Sequence, residues 1–194
     1  PIRTGSQRVK DKNLRAFANT NLMELKIKNL LQVPELTSIV VNTNSEEAIR
    51  IVNESYGGVN IHRREEYYAS SRCSGSEFFR HLGEVTDTDI FVYCPCTSPF
   101  VKPKTVSQCI NQFLSTSGYD CLATVSSVKE FLWLDGKPMN YDLAHAPNSQ
   151  NLPDVVALNF GVTVVRKEDL IKNSNIIGRN PQFVVTTEIE AIDI

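Results

Sequence analysis

Neither G-x-x-x-x-G-K-[ST] nor G-x-G-x-x-G occurs in the 194 residues, which excludes the two commonest glycine-loop solutions for holding a phosphate. No apolar run approaches the ~20 residues that a membrane-spanning helix needs. An excess of charge is missing too. Twenty Lys and Arg against 22 Asp and Glu leave a formal net charge of −2, so nothing attracts nucleic acid or an anionic membrane in bulk, and any anion site has to be local. Cysteine is sparse: Cys73, Cys94, Cys96, Cys109 and Cys121 are odd in number and unevenly spaced. That argues against a disulfide framework and fits a reducing cytoplasm. Cys94-Pro95-Cys96 is not a CxxC redox motif and has no second Cys or His pair at ligand spacing, so both thiols are expected to be ordinary strand-end residues. His62, His81 and His145 lack the spacing of a ligand set or a base–nucleophile pair and are expected to be solvated or capped. No Ser–His–Asp order invites a hydrolase. Internal repeats, low-complexity tracts and an interdomain linker are also absent, which leaves one domain, residues 1–194, with its own core.

What is present is rhythm. Ser38 to Thr43, Val59 to His62, Asp89 to Tyr93, Cys121 to Val125 and Asn159 to Val165 are apolar or β-branched runs of strand length. Between them lie helix-compatible stretches: Leu22 to Leu31, Glu46 to about Ser55, Ser74 to Glu84, Lys104 to Ser115 and Glu168 to Lys172. Ser45 followed by Glu46 and Glu47 is an N-terminal cap with early acids, and Gly57-Gly58 is a stop. Continuous apolar strands alternating with helices predict an α/β fold: three layers, α/β/α, with a mostly parallel Rossmann-like sheet covered on both faces. Residues 126–158 break this rhythm and predict a hairpin within an irregular extension.

Chemistry concentrates in the first thirteen residues, Pro1-Ile2-Arg3-Thr4-Gly5-Ser6-Gln7-Arg8-Val9-Lys10-Asp11-Lys12-Asn13. A solvated basic loop is one account of so many cations. The other is a triphosphate cradle, in which Gly lets the backbone approach, amides and hydroxyls donate to oxygens, and fixed cations neutralise charge.

The spacing R-x-x-S-x-R-x-x-x-K-N resembles the opening signature of the acylneuraminate cytidylyltransferases, which make CMP-sialic acid, and of their CMP-Kdo-forming relatives. The resemblance implies a nucleotide-diphospho-sugar transferase type of fold. It also implies that Arg3, Ser6, Lys12 and Asn13 hold the phosphates of CTP, with Arg8 a further cation and with Arg3 and Lys12 as the catalytic charges. Arg63-Arg64 and Ala69-Ser70-Ser71-Arg72-Cys73-Ser74 look like the family's base loop, where Arg64 and Ser74 would read cytosine. Those serines also suit helix capping.

Cys94-Pro95-Cys96-Thr97-Ser98-Pro99 resembles the family's Q-P-T-S-P stretch at the carboxyl end of a strand, the edge where open parallel sheets bind ligands. Thr97 and Ser98 match as sugar-binding positions, whereas Pro95 replaces the family's Gln and offers no side-chain donor or acceptor. Leu152 to Asn159 resembles another lining stretch. Asn159 matches, Ala157 replaces an Arg, and Thr163 replaces an aromatic. The nucleotide half of the site is therefore expected to be kept and the sugar half changed.

Glu188 to Ile194 resembles the family's closing E-x-I-D-I-D, cut before its second Asp, which makes Asp193 the expected Mg²⁺ ligand with Glu190 as an assistant. Hard carboxylate oxygens suit that ion. The 126–158 insertion is implied to pack on a second subunit, a surface excursion being the alternative. The chain is expected to be clipped at both ends, missing ~5–8 apolar strand residues before Pro1, the usual strand length. The expected activity couples CTP to an acidic, N-acylneuraminate-like 2-keto sugar in a homodimer. A legionaminic, pseudaminic or Kdo-like sugar, or a non-catalytic nucleotide-binding homologue, stands as the alternative.

Overall fold

The computed structural model describes residues 1–4 and 9–194. Two short antiparallel strands, β1 (Ala16–Phe17) and β2 (Thr20–Asn21), follow the first loop. Helix α1 (Leu22–Leu30) starts at once because the Asn21 side chain accepts from the Glu24 amide and caps it. Strands β3 (Ile39–Thr43) and β4 (Val59–Arg63) pair in parallel across α2 (Glu46–Ser55), which Ser45 caps. Gly58 closes that crossover at φ +90°, a conformation open to Gly at little cost. A single turn, α3 (Glu66–Ala69), leads to α4 (Gly75–Val85), where Ser74 and Glu77 form a reciprocal capping box. Then come β5 (Ile90–Tyr93), α5 (Pro103–Ser115) and β6 (Cys121–Val128). The hairpin β7 (Trp133–Leu134) and β8 (Lys137–Pro138) precedes β9 (Val155–Arg166), α6 (Lys167–Asn173) and β10 (Pro181–Val185).

Among the described residues the strands form a four-stranded piece, β10-β6-β9-β5, and a two-stranded piece, β3-β4. The amide of Ile2 donates to the carbonyl of Asn42 at 2.8 Å, adding a parallel bridge beside β3. β6 and β10 are parallel, whereas β9 runs antiparallel to both β5 and β6. The reversal of β9 and the existence of β10 are the two features of the sheet that the apolar rhythm does not convey. A run of Val and Ile encodes burial, not direction, and β10 is a half-exposed edge strand with weak patterning.

Successive residues of each strand point to opposite faces, so the sheet buries two layers. On one face Val106, Cys109, Ile110 and Phe113 of α5 pack on Leu122, Val162 and Val164. On the other, Leu170 of α6 packs on Cys121 and Val165, with Phe79 of α4 alongside. A further core joins α1 and α2 to Ile2, Val41, Val59 and Cys96. The three-layer α/β/α architecture is therefore realised. Helix α4 ties the two pieces together, because His81 meets His62 of β4 while Phe79 meets Tyr93 of β5.

That contact corrects the expectation for two of the histidines. His81 is buried, stacks flat on Tyr68 with centroids 3.6 Å apart, and meets His62 edge-on at 5.6 Å. They lie 19 positions apart, so no local spacing could report the pairing. His145 remains exposed, 3.3 Å from Asp142.

Candidate active site

A cleft of about 670 Å³ opens at the carboxyl end of β5. Tyr93, Pro95 and Thr97 form one wall and Phe79 of α4 another. Ser126, Leu158, Asn159 and Phe160 line the β6–β9 side, with Asn175 beyond α6 and Ala191 and Asp193 from the closing segment. Thr97, Asn159 and Asp193, all expected site residues, thus share one cavity.

The β6–β9 wall is irregular. Ala123 pairs with Thr163 and Val125 with Leu158, so Thr124 alone faces four residues of β9, a wide bulge. Side chains replace the missing ladder bonds. The Thr124 hydroxyl donates to Asn159 Oδ1 at 2.7 Å and accepts from the Val162 amide at 2.9 Å. Asn159 Nδ2 donates to Thr186 Oγ1 at 2.8 Å and to Ser126 Oγ at 3.2 Å. Within the bulge Phe160 sits at φ +54°, and Gly161 lies so close to the core that a Cβ would meet Val101 Cγ2 at 2.9 Å.

The described residues of the first loop that the sequence singles out make contacts in separate places. The Lys12 ammonium donates to the carbonyl of Ile194, whose amide donates to the carbonyl of Thr97 at 2.9 Å. Lys12, Thr97 and the segment carrying Asp193 are therefore held together. Arg3 Nη1 instead donates to the carbonyl of Ala69 at 3.1 Å, in the base-loop stretch. The Asn13 carbonyl accepts from the Met23 amide at 3.0 Å, while its buried Oδ1 has no hydrogen-bond partner among the described residues. Ser6 and Arg8 lie outside the described residues.

Arg64 is buried. Its guanidinium donates to Oδ1 of Asn42 and, at 2.8 Å, to the Asn42 carbonyl, and lies over the Phe78 ring at 4.7 Å. Burial pulls its pKa down to about 10, which still leaves it charged at neutral pH. Ser74 caps α4, and Glu77, accepting first from the Ser74 hydroxyl, is held down at about 2. Ser98 is buried, its hydroxyl has no partner among the described residues, and its carbonyl accepts from Lys26 at 2.7 Å.

Burial pushes the Tyr93 phenol up to about 12, so it stays a hydroxyl at the cleft wall at neutral pH. Burial likewise raises Cys94, to about 11, and Cys96, so neither is a thiolate. Glu190 is committed elsewhere, accepting from the Lys102 amide at 3.1 Å and from the hydroxyls of Thr105 and Thr187. It ties the closing segment to the start of α5, and its carboxylate is already satisfied there. Of the three departures from the family pattern, Pro95 lines the cleft, Ala157 is exposed next to Leu158 on β9, and Thr163 is fully buried.

The family model for cytidylyltransferases matches residues 1–169. The chain belongs to the cytidylyltransferase family. It is 24% identical over its whole length to the N-acylneuraminate cytidylyltransferase of Escherichia coli O18:K1:H7, but covers only 48% of that protein. It is 20% identical to the post-translational flagellin modification protein B of Campylobacter coli, with 99% of the chain and 86% of that protein covered. Among solved structures, a CMP:2-keto-3-deoxy-manno-octonic acid synthetase complexed with CTP shares the fold at a TM-score of 0.65 and 14% identity, over 96% of this chain and 88% of that one.

Four residues at the site, Lys26, Thr124, Phe160 and Asn175, belong to no motif in the chain. Lys26 lies on α1 at a position where a cation normally faces water, yet it is 3% exposed and sits under the Thr97–Ser98 turn. Thr124 and Phe160 act through the bulge, which is a tertiary feature. Asn175 follows α6 in a stretch with no motif. A polar residue inside an apolar strand, as at Thr124, is the one signal available, because such a group must find a partner.

Proposed function

We propose that the chain transfers the cytidylyl group of CTP to an acidic 2-keto sugar of the N-acylneuraminate kind, giving a CMP-sugar and pyrophosphate. The observation that carries the reading is the convergence of Lys12, Thr97 and Asp193 at one end of the cleft, with Asn159 on its far wall. The sugar hydroxyl oxygen attacks the α-phosphorus, the bond to the bridging oxygen breaks, and pyrophosphate leaves with that electron pair while the hydroxyl proton passes to water. Lys12 and Arg3 then have one task, to hold the phosphates in line and meet the charge that develops on pyrophosphate. Tyr93, protonated, supplies a donor at the wall.

Mg²⁺ fits this set through Asp193. A hard carboxylate in the cleft, with phosphate oxygens and water for the remaining positions, is the usual manner of binding this ion, and it would offset triphosphate charge.

A second acceptor class, a legionaminic, pseudaminic or Kdo-like acid, is favoured by Pro95, which puts an apolar ring on the cleft wall where the family carries Gln. The likeness to a flagellin modification protein supports the same direction. The 126–158 excursion is proposed to bury its exposed Phe131, Trp133, Leu134, Met139 and Leu143 against a second copy. No helix among the described residues is long and apolar enough to cross a membrane, and the five free thiols fit work in the cytoplasm.

The test is pyrophosphate release with Mg²⁺, crossing the four nucleoside triphosphates with a panel of acidic keto-sugars. Release with CTP and one acceptor is expected. CTP binding with silence across the panel would replace the transferase by a non-catalytic nucleotide-binding homologue, and failure to bind CTP would remove the nucleotide reading altogether.

A further inference from the structure

We infer that Phe160 is the residue that sets acceptor specificity at this site, an inference that rests on the transferase reading above. Three observations meet in it. First, its backbone is at φ +54°, the left-handed region that a bulky residue enters only at a cost. Second, that backbone is not free to relax. Asn159 is fixed by Thr124, Ser126 and Thr186, and the Gly161 amide donates to Asn159 Oδ1 at 3.2 Å. On the other side Gly161 is pressed against Val101 and Thr124, where a Cβ has no room. Third, the side chain so presented does not repay the cost by joining a core. It lies in the cleft wall, remains 39% exposed and belongs to none of the three apolar clusters.

A strained, immobilised and half-exposed ring in a binding cleft makes sense as a surface for a ligand. It shares that cleft with Phe79, Leu158 and the Pro95 ring, an apolar lining interrupted by Asn175 and Thr97, the Asn159 amide being taken up by its own partners. Such a wall recognises an acceptor with an apolar substituent, an acyl or deoxy methyl group, set beside hydroxyls that Asn175 and Thr97 can reach. By filling the space above the bulge, the ring also excludes acceptors that are bulky at that point. Neither effect touches the nucleotide, because Lys12 and Arg3 enter from other segments.

Phe160→Gly and Phe160→Asn test this, since both residues accept a positive φ and so keep the bulge while removing the ring. With N-acetylneuraminic, legionaminic, pseudaminic and Kdo acids as acceptors, the KM for the acceptor that the wild type prefers should rise about tenfold, the scale of losing a matched apolar contact. Preference should shift toward bulkier acceptors, while the dissociation constant for CTP and the melting temperature stay close to wild type. Unchanged relative kcat/KM values across the panel would overturn the inference and leave the transferase standing. A parallel loss of CTP affinity and acceptor KM would also overturn it, because the ring would then serve only the fold. No pyrophosphate from the wild type with any acceptor would overturn both.

Discussion

The Thr124 hydroxyl donates to Oδ1 of Asn159 at 2.7 Å, one of the side-chain bonds that hold the bulge of β9 against the centre of the sheet. The same oxygen accepts from the Val162 amide, which has lost its ladder partner to the bulge. Thr124→Val keeps the shape and removes both bonds, leaving a buried amide unpaired. The expected cost is about 1–3 kcal/mol, measured by urea unfolding. A variant within experimental error of wild type would show that the bulge is held by packing alone.

Lys12 reaches the carbonyl of Ile194 and so stands at the Thr97–Asp193 end of the cleft. A preorganised charge on the departing pyrophosphate contributes about 2–4 kcal/mol to the transition state, so Lys12→Ala should lower turnover by roughly 30- to 1,000-fold. Rates of pyrophosphate release close to wild type would take Lys12 out of the catalytic set.

What could be read in the chain was local. Ser45 and Ser74 cap the helices they precede because capping needs only the next three residues. The alternation of apolar strands with helices fixes a layered α/β fold. It does not fix the reversal of β9, since direction depends on which edge the chain returns to. The spacing of recognisable segments singles out Thr97, Asn159 and Asp193, and all three line the cleft. Phe160 was not, because its role comes from a register shift against β6, and a single Phe in an apolar run looks like core. Lys26 was invisible for the opposite reason: a cation on a helix reads as solvent-facing until a carbonyl is found above it.

His62 and His81 give the protein an acid-side weakness. Burial lowers the pKa of both. Arg64 reinforces the lowering at His62 against a smaller opposing effect of Glu65, and His62 reinforces it at His81, where Glu65 and Glu84 oppose and Arg64 adds the least. Both titrate near 6.5 when unfolded and below that when folded, so as pH falls through this window the unfolded state takes up protons first and stability drops. His81→Phe preserves the stack on Tyr68 and removes one of the two titrations. Unfolding free energies measured at pH 7 and pH 5 should therefore differ less in the variant than in the wild type. Parallel losses in the two proteins would assign the acid sensitivity to other groups.

Trp133 bears on the assembly. It is 51% exposed at the start of the β7–β8 hairpin, and its ring meets Tyr141 at 6.1 Å, with Phe131 at 4.8 Å from that same Tyr141. Three aromatic rings ordered against one another outside the core form a surface that water solvates poorly, and burying it against a copy of itself recovers that cost. Trp133→Glu places a charge at the centre of the patch, where a symmetric interface would bring two like charges together. Light scattering should report a dimer for the wild type and a monomer for Trp133→Glu, with the fold intact by circular dichroism because the substitution lies outside all three apolar clusters. A wild type that is monomeric at tens of micromolar, or a variant that still dimerises, would show that the hairpin is not the interface.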